Sequence, residues 1–259
     1  LKGFVHKIIL KKGAVPAVHK VRKVPNLMLA PLKEELNKLL KAGVIEEIKS
    51  SEWLAPVVLA PKDGGKTIWM GVDLRDLNKH IWVDRQPLPN ITEALATLEK
   101  ATLFSVMDMS SAYHQVLLHE ESKHLTSFVT PLGAYRYLRM PFGLATAATC
   151  FRRLMLRILE CIPKVLVFQD DILVSPTDRQ EHDIILRIVL ERMQELSLTL
   201  KREKCRFHVP SVTYLGHTIS RERISPKLEL ARSILDAPAP VDKNQVRSFL
   251  GLAEYCAKF

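Results

Sequence analysis

Cysteine is scarce in this chain of 259 residues: there are four, Cys150, Cys161, Cys205 and Cys256. None belongs to a Cys-x-x-Cys pair, which argues against a zinc ribbon, a dithiol redox centre and a disulfide-stapled scaffold. Reduced, partly buried thiols in an intracellular protein are the expectation. Long hydrophobic runs are missing as well. Runs such as Val165–Phe168 and Ile184–Leu186 fall far short of the roughly 20 apolar residues that a spanning helix needs, so no membrane partner is expected. Internal repeats and low-complexity linkers are absent. Residue 1 is Leu, and no positively charged apolar leader follows it, so a fragment of a longer, unsecreted product is expected.

What is present is ordinary for a globular protein. Hydrophobic residues make up 47% and charged residues 25%, and the length suits one large domain or two small ones. The charge is unevenly placed. Residues 1–50 hold 11 basic and 4 acidic residues, residues 201–259 hold 11 and 6, and the middle holds 16 and 18, within a formal net charge of +10. Two basic ends around a slightly acidic centre suit a clamp on a polyanion with a cation-binding middle; a basic solvated surface accounts for the charge equally well.

Apolar spacing and turn residues predict the elements. Residues 1–30 read as extended and loop-rich, with a short strand at Ile8-Ile9-Leu10. A helix runs from Pro31 to Ala42, with Leu32, Leu36, Leu39 and Leu40 on one face and Gly43 as its stop. Residues 53–61 and 67–73 form a hairpin around Lys62-Asp-Gly-Gly-Lys66. Residues 91–98 read as a helix and 103–108 as a buried strand, followed by a helix at 145–160. Val165–Phe168 and Ile172–Val174 are two strands joined through Gln169-Asp170-Asp171. A second long helix covers 179–197, strands surround Gly216, and a last helix covers 242–258 with Val246, Phe249 and Leu250 inward. The order is that of an α+β protein, with helices on one face of a mostly antiparallel sheet.

The chemistry concentrates in three carboxylates. Asp170 and Asp171 interrupt the apolar stretch Val165–Val174, and two adjacent like charges are costly to bury unless a cation neutralises them. A solvated turn explains that dipeptide equally simply. Asp108 adds a third carboxylate. It closes the apolar strand Leu103–Met107 and is followed by an abrupt switch to small and polar residues. If the two strands are sheet neighbours, Asp108 faces the Asp170–Asp171 tip. Clustered oxygen ligands suit Mg²⁺, and two such ions about 3.5–4 Å apart make the in-line phosphoryl-transfer site of polymerases and nucleases.

Val-Phe-Gln-Asp-Asp-Ile-Leu-Val (167–174) resembles the F/Y-x-D-D box of reverse transcriptases, and Val-Met-Asp-Met-Ser-Ser-Ala-Tyr-His-Gln (106–115) resembles their first catalytic aspartate motif. Four further boxes match in order: Val72–Lys79, Arg139–Leu144, Tyr214–Ser220 and Arg247–Leu252. Together they closely resemble the polymerase part of a gypsy-type LTR retrotransposon Pol polyprotein, over nearly the whole chain. The resemblance implies a right-hand polymerase: fingers over residues 1–90 with part of 115–140, a ferredoxin-like palm over 91–220 and a partial thumb over 221–259. It implies an RNA-directed DNA polymerase that adds dNTPs to a primer 3′-OH on an RNA or DNA template. Two Mg²⁺ ions, or Mn²⁺, would be held by Asp108, Asp170 and Asp171.

By the same resemblance Tyr113 is the steric gate against a ribose 2′-OH. Phe142 and Gly143 line the nucleotide pocket, and Lys62 and Lys66 are candidates for the triphosphate. Gln169, Arg75, Gly216 and His217 would lie along the template–primer. RNase H and integrase segments would belong to the longer polyprotein, in a cytoplasmic particle or the nucleus. The sequence departs from the family pattern at Trp69, where a triphosphate-binding Arg is usual, and at Ala112, Ala148 and Cys256. Trp offers no charge-assisted bond to phosphate. A catalytically silent nucleic-acid-binding remnant and a metal-dependent nuclease or phosphotransferase are the alternative readings.

Overall fold

The structure is a computed structural model that describes all residues except 63–66, 85–97, 99–100, 169, 215–216, 223, 227 and 257–259. In chain order its elements are β1 (Val5–His6), α1 (Asn26–Lys41), β2 (Ile45–Ile48), β3 (Ala55–Lys62), β4 (Thr67–Val72), α2 (Arg75–His80), β5 (Phe104–Asp108), β6 (Leu117–Leu118), α3 (Glu120–Lys123), β7 (Phe128–Thr130), β8 (Gly133–Tyr137), α4 (Ala147–Ile158), β9 (Val165–Phe168), β10 (Asp171–Val174), α5 (Arg179–Glu195), β11 (Arg206–Val209), β12 (Ser211–Tyr214), β13 (His217–Ser220), β14 (Ile224–Pro226), α6 (Leu228–Leu235) and α7 (Lys243–Cys256). Short 3-10 helices cover Ala112–Gln115, His124–Thr126 and Arg202–Lys204.

The chain divides into two compact units. The first comprises Leu1–Pro87, Met109–Glu160 and Arg192–Thr199. Its main sheet has the order β2-β8-β7-β3-β4 and is antiparallel except between β3 and β7. The helix α1 packs against β2 and β4 and buries Leu32, Leu36 and Leu39, whose spacing of four and three places them on one stripe. It ends in a Schellman motif. Gly43 takes φ 61°, its N–H donates to the Leu40 carbonyl, and the Val44 N–H donates to that of Leu39. Phe128 lies within 5.3 Å of the Tyr137 ring and 5.7 Å of the Tyr135 ring, centroid to centroid.

The second unit comprises Leu88–Asp108, Cys161–Glu191 and Leu200–Phe259. Its four-stranded antiparallel sheet runs β11-β5-β10-β9, beside a three-stranded sheet β12-β13-β14. Phe104, Leu173, Val212, Tyr214 and Ile219 form one buried cluster with Leu98 and Ala101. The start of α5 is fixed by reciprocal capping. Asp178 accepts from the Glu181 N–H, and the Glu181 carboxylate reaches back to the Thr177 N–H. Along α5, His182, Ile185, Leu186, Val189 and Met193 are buried on one face.

Several boundaries differ from the sequence expectation. The first helix starts at Asn26, so Pro31 lies inside it. The carbonyl that Pro31 cannot serve is that of Leu27, in a first turn whose Leu27 side chain is 90% exposed, where water can take the place of the amide. Ile8–Leu10 is not a strand: pairing falls on Val5–His6, and Leu10 makes only an isolated bridge to Ile81. On α7, Val246 and Leu250 are exposed rather than inward. The hairpin turn at 63–66 and the helix expected at 91–98, apart from Leu98, lie outside the described residues.

Candidate active site

The strands β5 and β10 owe their position to their apolar residues. Phe104, Met107, Ile172, Leu173 and Val174 are all fully buried, and the antiparallel register pairs Ile172 with Met107 and Leu173 with Val106. That register leaves one option for the strand ends: Asp171 stands directly opposite Asp108. Opposed residues in such a ladder hold their Cβ atoms roughly 4.5–5.5 Å apart, and like charges there destabilise the pair. Asp170 occupies the turn before Asp171, which pairs back with Phe168 on β9. The sheet thus brings three carboxylates to one end of a β-ribbon.

Lys204 partly offsets their repulsion. Its Nζ lies 2.9 Å from Asp108 Oδ2, and the Lys201 N–H donates to the Asp108 carbonyl at 2.8 Å, so the 3-10 turn Arg202–Lys204 is tied to β5. One lysine is not sufficient. Burial first, then the charges of Asp170 and Asp108, push the Asp171 carboxyl above the usual carboxylate range, against the pull of Lys204. The Asp108 bond raises the Lys204 ammonium above its ordinary value, with help from Asp170 and Asp171. A half-buried oxygen-only donor set with excess negative charge, only partly offset by one displaceable ammonium, fits hard divalent cations such as Mg²⁺.

In the first unit, a left-handed turn at Ser111, φ 45°, leads from β5 into the 3-10 helix that carries Tyr113. The Tyr113 ring lies 5.0 Å from Phe142 and 5.8 Å, edge-on, from Phe151. Gln115, to which the sequence reading gave no role, locks this segment. Its Nε2 donates to the carbonyls of Ser110 and Thr199, and its Oε1 accepts from the Thr199 N–H at 2.8 Å. Asn78 does the same for the turn Met140-Pro-Phe-Gly143, donating to the Gly143 carbonyl and accepting from the Ala145 N–H, both at 2.8 Å. Gly143 takes φ 84° there, a conformation that favours glycine. Both polar residues stand inside recognised boxes, and a side chain able to donate and accept at once was the available signal. His114, beside Phe142, is held down to about 4 by burial and then by Arg139.

Of the remaining candidates, Lys62, Arg75 and His217 stand on separate elements. Lys62 is exposed at the end of β3, paired in register with Thr67. Arg75 holds Asp73 through two bonds of 2.7 Å. His217 is buried in β13 opposite Tyr214. Lys66, Gln169 and Gly216 lie outside the described residues. Trp69 is 56% exposed and walls a cleft of about 600 Å³ with Phe142, His114, Lys38 and Arg139.

The sequence profile described as reverse transcriptase (RNA-dependent DNA polymerase) matches residues 60–219. The retrovirus-related Pol polyprotein from transposon 297 of Drosophila melanogaster is 33% identical over 88% of this chain and 22% of its own length. The transposon Tf2-3 polyprotein of Schizosaccharomyces pombe is 32% identical over 91% of this chain and 18% of its own length. The chain therefore spans about a fifth of these curated relatives. Among solved structures, the foamy viral protease-reverse transcriptase in complex with RNA/DNA hybrid matches with a TM-score of 0.83 at 22% identity, covering 97% of this chain and 34% of that one. Its complex with double-stranded DNA matches with a TM-score of 0.80 at 21% identity, over 98% of this chain and 54% of that one. Among the described residues no helix is long and apolar enough to cross a membrane. The chain shares the fold of those polymerases and belongs to the reverse transcriptase (RNA-dependent DNA polymerase) family.

Proposed function

We propose that this chain is the polymerase portion of a gypsy-type LTR-retrotransposon Pol polyprotein and extends a primer 3′-OH with dNTPs on an RNA or DNA template. The observation that carries this reading is the register of Asp171 on Asp108 with Asp170 adjacent, in a chain whose family performs that reaction. Asp108, Asp170 and Asp171 would hold two Mg²⁺ or Mn²⁺ ions, which when bound supply activation of the primer oxygen and stabilisation of the leaving pyrophosphate. The chain itself supplies a rigid apolar sheet that fixes the carboxylates and Lys204 as the cation that neutralises Asp108 before loading. Tyr113, packed on Phe142 and Phe151, presents a braced ring suited to excluding a 2′-hydroxyl. The basic ends would hold the duplex chiefly by charge, so affinity falls steeply with salt, and contacts to an A-like minor groove would admit RNA templates. The proposed layout is fingers over 1–90 with part of 115–140, palm over 91–220 and thumb over 221–259. RNase H and integrase would be supplied by other parts of the polyprotein, inside the cell.

The test is primer extension on RNA and DNA templates with Mg²⁺ or Mn²⁺. Template-dependent incorporation that disappears in Asp108→Asn and Asp171→Asn supports the reading. Duplex binding without incorporation, in both the parent and Trp69→Arg, would replace it with a silent binding remnant, and shortened nucleic acid without incorporation would replace it with a nuclease.

A further inference from the structure

A second polar cluster lies in the same unit as the carboxylates, and the polymerase reading does not use it. His182, Asp183 and His208 each offer one ligand atom, and these atoms all lie within 4.8 Å of one another. His182 faces inward from the first turn of α5 and is fully buried. Its Nε2 is 3.0 Å from Ser105 Oγ, while its Nδ1 is buried with no hydrogen-bond partner. A buried imidazole nitrogen without a partner is uncommon and costly. The two rings stand 4.4 Å apart, centroid to centroid. His208 Nε2 meets Asp183 Oδ1 at 2.5 Å.

The backbone is bent to achieve this. His208 takes φ 53°, a left-handed conformation that costs a non-glycine residue energy. It sits where the β11–β5 register shifts between Arg206 and Val209. Its N–H donates to the same Ser105 Oγ that meets His182, at 3.1 Å. Ser105 therefore orients the His182 ring and anchors the His208 backbone. With Nε2–H donating to Ser105, the lone pair of His182 Nδ1 is left free. That is the tautomer a metal ligand needs, with its other ring nitrogen fixed by a hydrogen bond.

We propose that His182, Asp183 and His208 form a binding site for a borderline divalent transition-metal ion of the Zn²⁺ class, distinct from the Mg²⁺ site expected at the carboxylates. Two imidazoles and one carboxylate favour such ions over Mg²⁺ or Ca²⁺, which prefer all-oxygen shells. The ion would replace the hydrogen bond between His208 Nε2 and Asp183 Oδ1. Those two would part by somewhat under 1 Å to reach ligand separations set by bonds of about 2.0–2.2 Å. The Asp183 and His208 side chains are 55% and 35% exposed, which provides the entry path and room for water as a fourth ligand. The bound ion would pin the β11 bulge to α5.

Titration of the full chain with Co²⁺, read by its ligand-field absorption, tests this. One equivalent should bind with four-coordinate nitrogen–oxygen bands, persist in excess Mg²⁺, give way to Zn²⁺ and raise the thermal midpoint. Asp183→Asn and His208→Gln, both at partly exposed side chains, should each weaken Co²⁺ binding at least 10-fold, whereas Asp171→Asn should not. The proposal is overturned by absent bands, by unchanged affinity in both cluster variants, by loss of binding in Asp171→Asn, or by sulfur charge-transfer bands that place the ion on a cysteine.

Discussion

The strand β5 carries a polar cluster near each end, and the two solve the problem of burying polar groups in opposite ways. At Asp108 the groups are all carboxylates. They repel, Asp171 resists ionisation, and one lysine offsets part of the charge. At Ser105 the groups are imidazoles and a hydroxyl, and they pair among themselves through Ser105 and Asp183. Both rest on the same apolar sheet. The first stores repulsion that an added cation relieves; the second is nearly self-satisfied, with one nitrogen unmatched. What decides the type of cation is the ligand atom: oxygen alone at one end, nitrogen and oxygen at the other.

The largest expected effect breaks the first cluster. Asp171→Asn should lower primer extension by about 10³-fold or more, the scale set by removing one group from a preorganised electrostatic site, while filter binding of duplex persists. Leu173→Ala removes the apolar support under the ribbon and should cost about 2–5 kcal/mol in urea unfolding, with the loss appearing in both clusters. Tyr113→Ala tests whether the braced ring selects sugar. Ribonucleotide incorporation relative to dNTP should rise on the order of 10- to 100-fold in single-nucleotide assays.

Acid should distinguish buried imidazole from buried carboxylate. His114 has a depressed value of about 4, so its contribution to stability is full above the ordinary histidine value near 6.5 and is lost as pH falls toward 4. A melting series should show His114→Phe flattening that window. Asp171 has the opposite sign. Its value is raised, so its ionisation destabilises the metal-free fold at neutral pH, and the penalty vanishes once pH falls below the ordinary carboxylate range. Asp171→Asn should therefore melt about 2 °C higher at pH 7 without metal, a gain that fades on acidification and is reversed by millimolar Mg²⁺. Smallest of all, Lys204→Met should change stability by less than about 1 kcal/mol, since the lysine side chain is 56% exposed, and should tighten Mg²⁺ binding by removing a competitor.

Much of the acidic end was legible because its signals are local. Two apolar runs, each interrupted by Asp, fix both strand identity and the strand ends, and β5, β9 and β10 follow with little shift. The helices α4 and α5 were equally plain from their stripes. The imidazole end was not legible. His182 and His208 are 26 positions apart, each reads alone as a core or surface histidine, and only the bulge in β11 turns them toward each other. The locks made by Asn78 and Gln115 escaped for a related reason, because their partners are backbone atoms whose positions no residue type encodes. The start of α1 was misplaced because Pro31 is a common first helical residue, and nothing in the pattern marked the preceding turn as helical.

Trp69 lies over Gly71 on β4, so that a Cβ added at Gly71 would fall 2.5 Å from the tip of the indole. The tip is exposed and free to swing, so a side chain at 71 would not break the strand; it would lift the aromatic wall off the cleft. With tryptophan at 69 in this pose, glycine at 71 is what lets the indole lie flat over the strand, whereas Trp69→Arg would release that constraint.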